Sequence, residues 1–225
     1  MKSWWVLRRQ PLGETDWLLD VFTRDAGMLR VTWRRPPSAP DLHREYQGDW
    51  VATDELPRLR GVSEIHSDAR TALTGDALVC ALYLDELLLK ILGTGQASPT
   101  LYKLYAATLQ ALAEQQRRDV WLRVFETTLL HQAGVLPDLT MTAAGDAVED
   151  QAMYQYRPGE GIVRASQETS YQETSHGIRA WSGQQLRALM QQDYRLPGAL
   201  TAARVILRTI IDEHVSQPLI SPELL

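Results

Sequence analysis

The sequence predicts an α+β fold: an N-terminal β-barrel of the OB type over residues 1–68, then a mainly α-helical region over residues 69–225 with an irregular, zinc-less insert at about 136–180. Three observations carry this. Five short apolar runs, each bounded by Gly, Pro or Asp, crowd into the first stretch of chain. The composition then changes near Ser67, and leucine-rich stretches at helical spacing dominate from there to the end of the chain.

The first three runs are Trp4 to Leu7, Trp17 to Phe22 and Met28 to Trp33, separated by Pro11-Leu12-Gly13-Glu14 and by Thr23-Arg24-Asp25-Ala26-Gly27. They read as a β-meander. Its tight Asp25-Ala26-Gly27 corner asks Gly27 for a positive φ. Pro36-Pro37-Ser38-Ala39-Pro40 must be a loop, because proline supplies no ladder donor. Two further strands, Glu45 to Thr53 and Arg58 to His66, flank a turn at Asp54-Glu55-Leu56-Pro57. Five such strands suffice for a small closed barrel.

From Asp76 to Leu92 the chain is almost continuously apolar, which predicts a buried helix with Leu78, Leu82, Leu88 and Leu92 among its core residues. Gly93 and Gly95 end it. Ser98-Pro99 supplies an N-cap and a first-turn proline for a second helix bearing Leu101, Leu104, Tyr105, Thr108, Leu109 and Leu112. A third helix, Val120 to Ala133, sets Trp121, Leu122, Phe125, Leu129 and Leu130 on its face and closes at Gly134. Leu136 to Glu173 holds no helical pattern, only a hairpin signal around Pro158-Gly159-Glu160-Gly161. Ser182 reads as the N-cap of Gly183 to Met190. A last helix, Pro197 to His214, aligns Leu200, Ala203, Ile206, Leu207, Ile210 and Ile211.

The residue inventory excludes much chemistry. A lone Cys80 permits neither an intramolecular disulfide nor a multi-cysteine zinc site. The five histidines are scattered without metal-ligand spacing, and no phosphate-loop or dinucleotide fingerprint is present. Asp85 and Glu86 are neighbours on a helix and point about 100° apart, so at least one is expected to bind a buried backbone group or an arginine. Asp146, Glu149 and Asp150 do not make a calcium-loop pattern. These absences favour a binding protein over an enzyme, with no cofactor. No apolar run reaches the roughly 20 residues of a membrane span, and the start lacks signal-peptide character, so a cytoplasmic protein is expected.

Charge is unevenly spread. The net value is −5, yet residues 1–35 hold seven basic and four acidic groups, a net +3 that leaves −8 for the rest. An electropositive head on an acidic body suits a polyanion; the competing reading is ordinary scatter of surface charge. On the barrel, Arg8, Arg9, Arg30, Arg34, Arg35 and Arg44 are candidates to meet phosphates, and Trp33 or Trp50 to stack on a base. The competing reading makes these tryptophans barrel core. On the third helix, Arg123 among Trp121, Leu122, Phe125 and Leu129 suits a peptide that ends in a carboxylate preceded by large side chains. There the competing reading pairs Arg123 with Glu126 or Glu86 in the core.

At these residues the chain resembles the bacterial RecO family of recombination-mediator proteins. The resemblance rests on VLRRQPLGETDWLLDVFTRDAGMLRV near the start, on YLDELLLKIL (83–92), on LRVFETTLLHQAG (122–134) and on Tyr154 to Val163. WSGQQLRAL (181–189) and QPLISPELL (217–225) extend it, all in family order. It implies an OB-fold and a helical domain, binding of single- and double-stranded DNA, and annealing of complementary strands. It further implies capture of the acidic C-terminal tail of single-stranded-DNA-binding protein, and cooperation with RecR to load RecA. By position, Arg123 with Leu122, Phe125 and Leu129 would form the tail-binding patch, and Arg8, Arg9, Arg30, Arg34 and Arg35 the DNA-facing region.

The chain departs from that pattern in three places. Trp33-Arg34-Arg35-Pro36-Pro37 stands where the family has a Lys-Gly-Ala-Arg loop, the insert lacks the cysteines of zinc-bearing members, and Ile220-Ser221-Pro222 replaces a basic Lys-Ser-Arg. Weaker intrinsic DNA binding than the family norm is therefore expected. The alternative is a protein-interaction adaptor that has lost DNA binding.

Overall fold

A computed structural model describes residues 1–65, 73–165 and 180–221. His66, His176, the 68/69 division of the sequence reading, part of the insert and the last four residues lie outside these.

Five strands, β1 (Lys2–Leu12), β2 (Asp16–Thr23), β3 (Gly27–Arg34), β4 (Glu45–Val51) and β5 (Arg58–Glu64), close into a barrel in the order β1-β2-β3-β5-β4. All pairings are antiparallel except β3 with β5, which meet in parallel at Thr32 and Arg58. This is the expected OB-type barrel. Alternation along the strands sends Trp4, Val6, Leu19, Val21, Val31, Tyr46 and Leu59 into its core. A bulge between Val6 and Arg8 on β1 buries Val6 and Leu7 in succession and re-phases the strand, so that Arg8 then faces out opposite Asp20.

Gly27 takes φ 66° at the hairpin corner. A Cβ there would sit 2.3 Å from the Gln96 carbonyl oxygen, so the position needs glycine for close approach as well as for its φ.

Helices α1 (Gly75–Ile91) and α2 (Pro99–Ala113) belong to the same compact unit as the barrel, which comprises Met1–Arg118 and the chain end from Leu219. The Ser98 hydroxyl caps α2 by accepting from the Leu101 N–H at 3.2 Å. Tyr102 and Tyr105 of α2 meet Trp5 and Phe22 on the barrel wall, with ring centroids 5.4–6.5 Å apart. Leu88 and Leu92 are buried as expected, whereas Leu78, in the first turn of α1, is exposed at the rim of a half-open cleft.

The two adjacent carboxylates of α1 do different work. Asp85 is buried, with His43 Nε2 2.7 Å from one oxygen and the Tyr105 hydroxyl donating to the other at 2.5 Å. Burial pushes its carboxyl up, against the pull of those partners. The His43 contact ties the β3–β4 loop to α1, and the Tyr102 hydroxyl ties the start of β4 to α2 by donating to Glu45 at 2.7 Å. Glu86 binds backbone, as the sequence suggests for one of the pair. It accepts from the N–H groups of Ile220 and Ser221, each at 3.0 Å, from the Ser221 hydroxyl, and from Lys90 at 2.8 Å.

The second unit, Asp119–Pro218, takes in nearly all of α3 (Arg118–Gln132) and holds the strands β6 (Met153–Arg157), β7 (Gly161–Arg164) and β8 (Trp181–Ser182), with α4 (Gly183–Met190) and α5 (Ala199–His214). The insert is more regular than its sequence suggests: β7-β6-β8 form a three-stranded sheet. The β6–β7 hairpin falls where the Pro158 to Gly161 signal places it, but two residues of β8 are too few for any periodicity to announce. Arg187 holds the loop before β6 by donating to Asp150 and to the Val148 carbonyl, and Arg164 grips Glu149 with two bonds of 3.0 and 3.2 Å. Ser182 and Gln185 form a reciprocal capping box for α4. No described helix is long and apolar enough to cross a membrane.

Candidate nucleic-acid interface

The β1–β2 and β2–β3 registers place Arg8, Asp20 and Arg30 in one row across three strands, on the outer face. Arg8 Nε lies 2.6 Å from one Asp20 oxygen and Arg30 Nε 2.7 Å from the other. Hydrogen bonding to Asp20, reinforced by its charge, raises the Arg30 pKa. One largely buried carboxylate thus fixes two half-exposed guanidiniums, and the row keeps a net charge of +1.

The paired arginines of the sequence diverge in space. Arg9 lies on the other side of β1 from Arg8: it donates to the Pro40 carbonyl, sits 3.6 Å from Asp41 and stands 5.8 Å over the Trp17 ring. Arg34 reaches Asp16 at 3.5 Å. Arg35 comes next in a left-handed conformation (φ 45°), is exposed, and makes no ion pair with any described residue. Arg44 is 3.9 Å from Glu64. Trp33 alternates with Arg30, Thr32 and Arg34; it packs against the barrel core edge-on to Tyr46, with centroids 5.6 Å apart, so core packing holds it. Trp50 likewise packs on the core, at 6.1 Å from Trp4, with the Lys2 ammonium 3.9 Å over its ring.

Sequence reasoning misses Arg58, Arg60 and Lys2. Leu59 points into the core, so Arg58 and Arg60 flank it facing outward on β5, beside β3. The strand is legible in sequence, with an alternation centred on Leu59, but nothing local shows that it lies beside β3. Counting these cations changes the electrostatic picture: residues 1–65 hold ten basic and ten acidic groups, so the barrel as a whole is neutral. Any polyanion must find local asymmetry in it.

On α3, Phe125 and Leu129 are fully buried and Leu122 nearly so, while Trp121 and Arg123 are half-buried. Arg123 Nη2 donates to Glu126 at 2.6 Å. Three of the patch's four apolar members, Leu122, Phe125 and Leu129, are therefore packed in this structure, and the pairing of Arg123 with Glu126 is the one the competing reading foresees. Among the described residues no group of His, Cys, Asp and Glu is arranged to hold a metal ion.

Residues 72–223 match the family model described as "Recombination protein O C terminal". The chain is 32% identical to the DNA repair protein RecO of Stutzerimonas stutzeri, covering 97% of this chain and 90% of that protein. It is 33% identical to the RecO protein of Pseudomonas aeruginosa LESB58, with 98% and 92% covered, and 32% identical to that of Pseudomonas putida KT2440, with 98% and 94% covered.

Proposed function

Since the chain belongs to the RecO family of DNA repair proteins, we propose that it is a non-catalytic recombination mediator in the cytoplasm. It binds and anneals DNA strands through the barrel and helps load the recombinase RecA, together with RecR, onto DNA coated by single-stranded-DNA-binding protein. The observation that carries this is the set of outward guanidiniums that strand register places on β3 and β5 of a small closed barrel. Recruitment is assigned to the Trp121–Arg123 side of α3, which would take the acidic tail of the coating protein; support comes from the partial exposure of those two residues above a solid apolar floor. Holding that tail raises the local concentration of the mediator on coated DNA without any added DNA contact.

With most barrel arginines close to carboxylates, intrinsic affinity is low and recruitment counts for more. Titrating a labelled oligonucleotide at two salt concentrations tests this. Weak binding that steepens moderately as salt falls is expected, and tight binding by the isolated protein at physiological salt would overturn it. The neutral barrel supports a second reading, an adaptor that bridges partners without touching DNA. Complete absence of salt-sensitive binding would select it.

A further inference from the structure

We propose that the phosphate-gripping track of this chain runs along the seam between β3 and β5, through Arg34, Arg35, Arg58 and Arg60, and that the Arg8–Asp20–Arg30 row chiefly braces the wall. The inference rests on the nucleic-acid reading above and assigns that function to particular side chains. Its basis is how the cations are already committed. Arg8 and Arg30 share a largely buried carboxylate at 2.6 and 2.7 Å, and Arg9 is held by Asp41, Pro40 and Trp17. A phosphate approaching them competes with bonds already made.

The seam differs. Arg35, Arg58 and Arg60 form no ion pair with any described residue, and Arg34 has only the longer contact with Asp16 at 3.5 Å. The parallel bridge between Thr32 and Arg58 sets the register. In it, Arg34 on β3 and Arg60 on β5 are the next outward residues in the same direction, about 6.6 Å further along their strands. The neighbouring acidic groups are Asp16, opposite Arg34 on β2, Asp49, opposite Arg60 on β4, and Asp54 and Glu55 in the β4–β5 turn; of these only Asp16 pairs with a seam arginine, Arg34. Arg58 is half-buried, with its Nε enclosed by the barrel wall, so its guanidinium is positioned before a ligand arrives. Two adjacent strands then present a local excess of positive charge on a barrel whose total is zero. Backbone contacts of this kind carry no base information, so the ligand is a phosphodiester strand of any sequence.

The probe is a fluorescein-labelled oligothymidine, with anisotropy read across a salt series on the full chain. Replacing Arg58 and Arg60 by Gln should weaken binding about tenfold at low salt and lower the slope of log K against log salt by about 1.4, two single-strand phosphate contacts at about 0.7 each. Arg60→Gln alone, at an exposed side chain, gives half that change and serves if the double variant fails to fold. Arg8→Gln with Arg30→Gln should lower the slope by less than half as much as the Arg58/Arg60 pair does. A wild-type slope in the Arg58/Arg60 variants, with the loss appearing in the Arg8/Arg30 variant, overturns the proposal. If the unaltered protein shows no salt-dependent binding, the nucleic-acid reading itself falls and takes the seam with it.

Discussion

Two arginine–carboxylate sites in this protein look alike on paper and differ in what they can still do. On α3, Arg123 is 12% exposed and its partner Glu126 0%; on the barrel, Arg8 and Arg30 are 56% and 50% exposed around an Asp20 that is 10% exposed. The bond lengths are nearly the same, at 2.6–2.7 Å. In the first site the anion is enclosed and the cation nearly so, so the loss of either takes a charge partner from the other in a low-dielectric interior. In the second, only the anion is sheltered, and each cation keeps a solvated side. Distance reports that a pair exists; desolvation decides whether it is committed to the fold or open to a third charge.

The largest effect is expected where both partners are buried. Arg123→Ala leaves the Glu126 carboxylate enclosed and should cost about 3–5 kcal/mol of stability, read as a fall in the urea midpoint at constant m. Its binding of an acidic tail peptide ending in Phe should be measured beside Arg123→Lys, which keeps a cation for Glu126. Loss of peptide binding in a folded Lys variant supports a recruiting role for the guanidinium. Full retention of binding in that variant reduces Arg123 to a structural ion.

Glu86 lies between the extremes, a sheltered carboxylate held mostly by neutral donors. Burial pushes its pKa up, but the Lys90 ammonium, the Ser221 hydroxyl and N–H, and the Ile220 N–H outweigh that and hold it at about 2, down from 4.5. A depressed folded-state value means the stabilisation is complete above the unfolded pKa and is lost as pH falls through the folded one. Glu86→Gln should therefore cost about 2 kcal/mol at pH 7, with the gap to wild type closing between about pH 4.5 and 2. A gap that persists unchanged at pH 2 would mean that shape, not charge, fastens the chain end.

How far the sequence reveals such sites depends on how local their determinants are. Gly27, the Ser98 and Ser182 caps and the five barrel strands are legible because a turn or a cap is decided within four or five residues. Asp20 is not: its partners lie 12 and 10 residues away, and the pairing with Arg8 depends on a one-residue bulge that no pattern in β1 declares. His43 meets Asp85 across 42 residues of chain, through a left-handed loop residue. The α3 face is visible in sequence as apolar, but amphipathicity shows which side is greasy and not what lies over it. Only the folded structure shows that Phe125 and Leu129 are covered.

On the barrel the expected losses are smaller and move binding instead. Asp20→Asn removes the anion and leaves two half-exposed guanidiniums with a neutral acceptor. It should cost about 1–2 kcal/mol while raising the net charge of the row from +1 to +2, so oligonucleotide affinity at low salt should rise. A fall in affinity would show that Asp20 positions the arginines for the ligand.

Arg8→Ala is the smallest and the sharpest. Arg30 still satisfies Asp20 through two bonds of 2.7 and 3.3 Å, so the carboxylate keeps a charged partner. A half-exposed pair member of this kind is worth about 0.2–1 kcal/mol, which a urea titration resolves against the several kcal/mol expected for Arg123→Ala. If the two losses proved equal, exposure would not be the variable that separates these sites, and the barrel arginines would have to be counted as part of the fold.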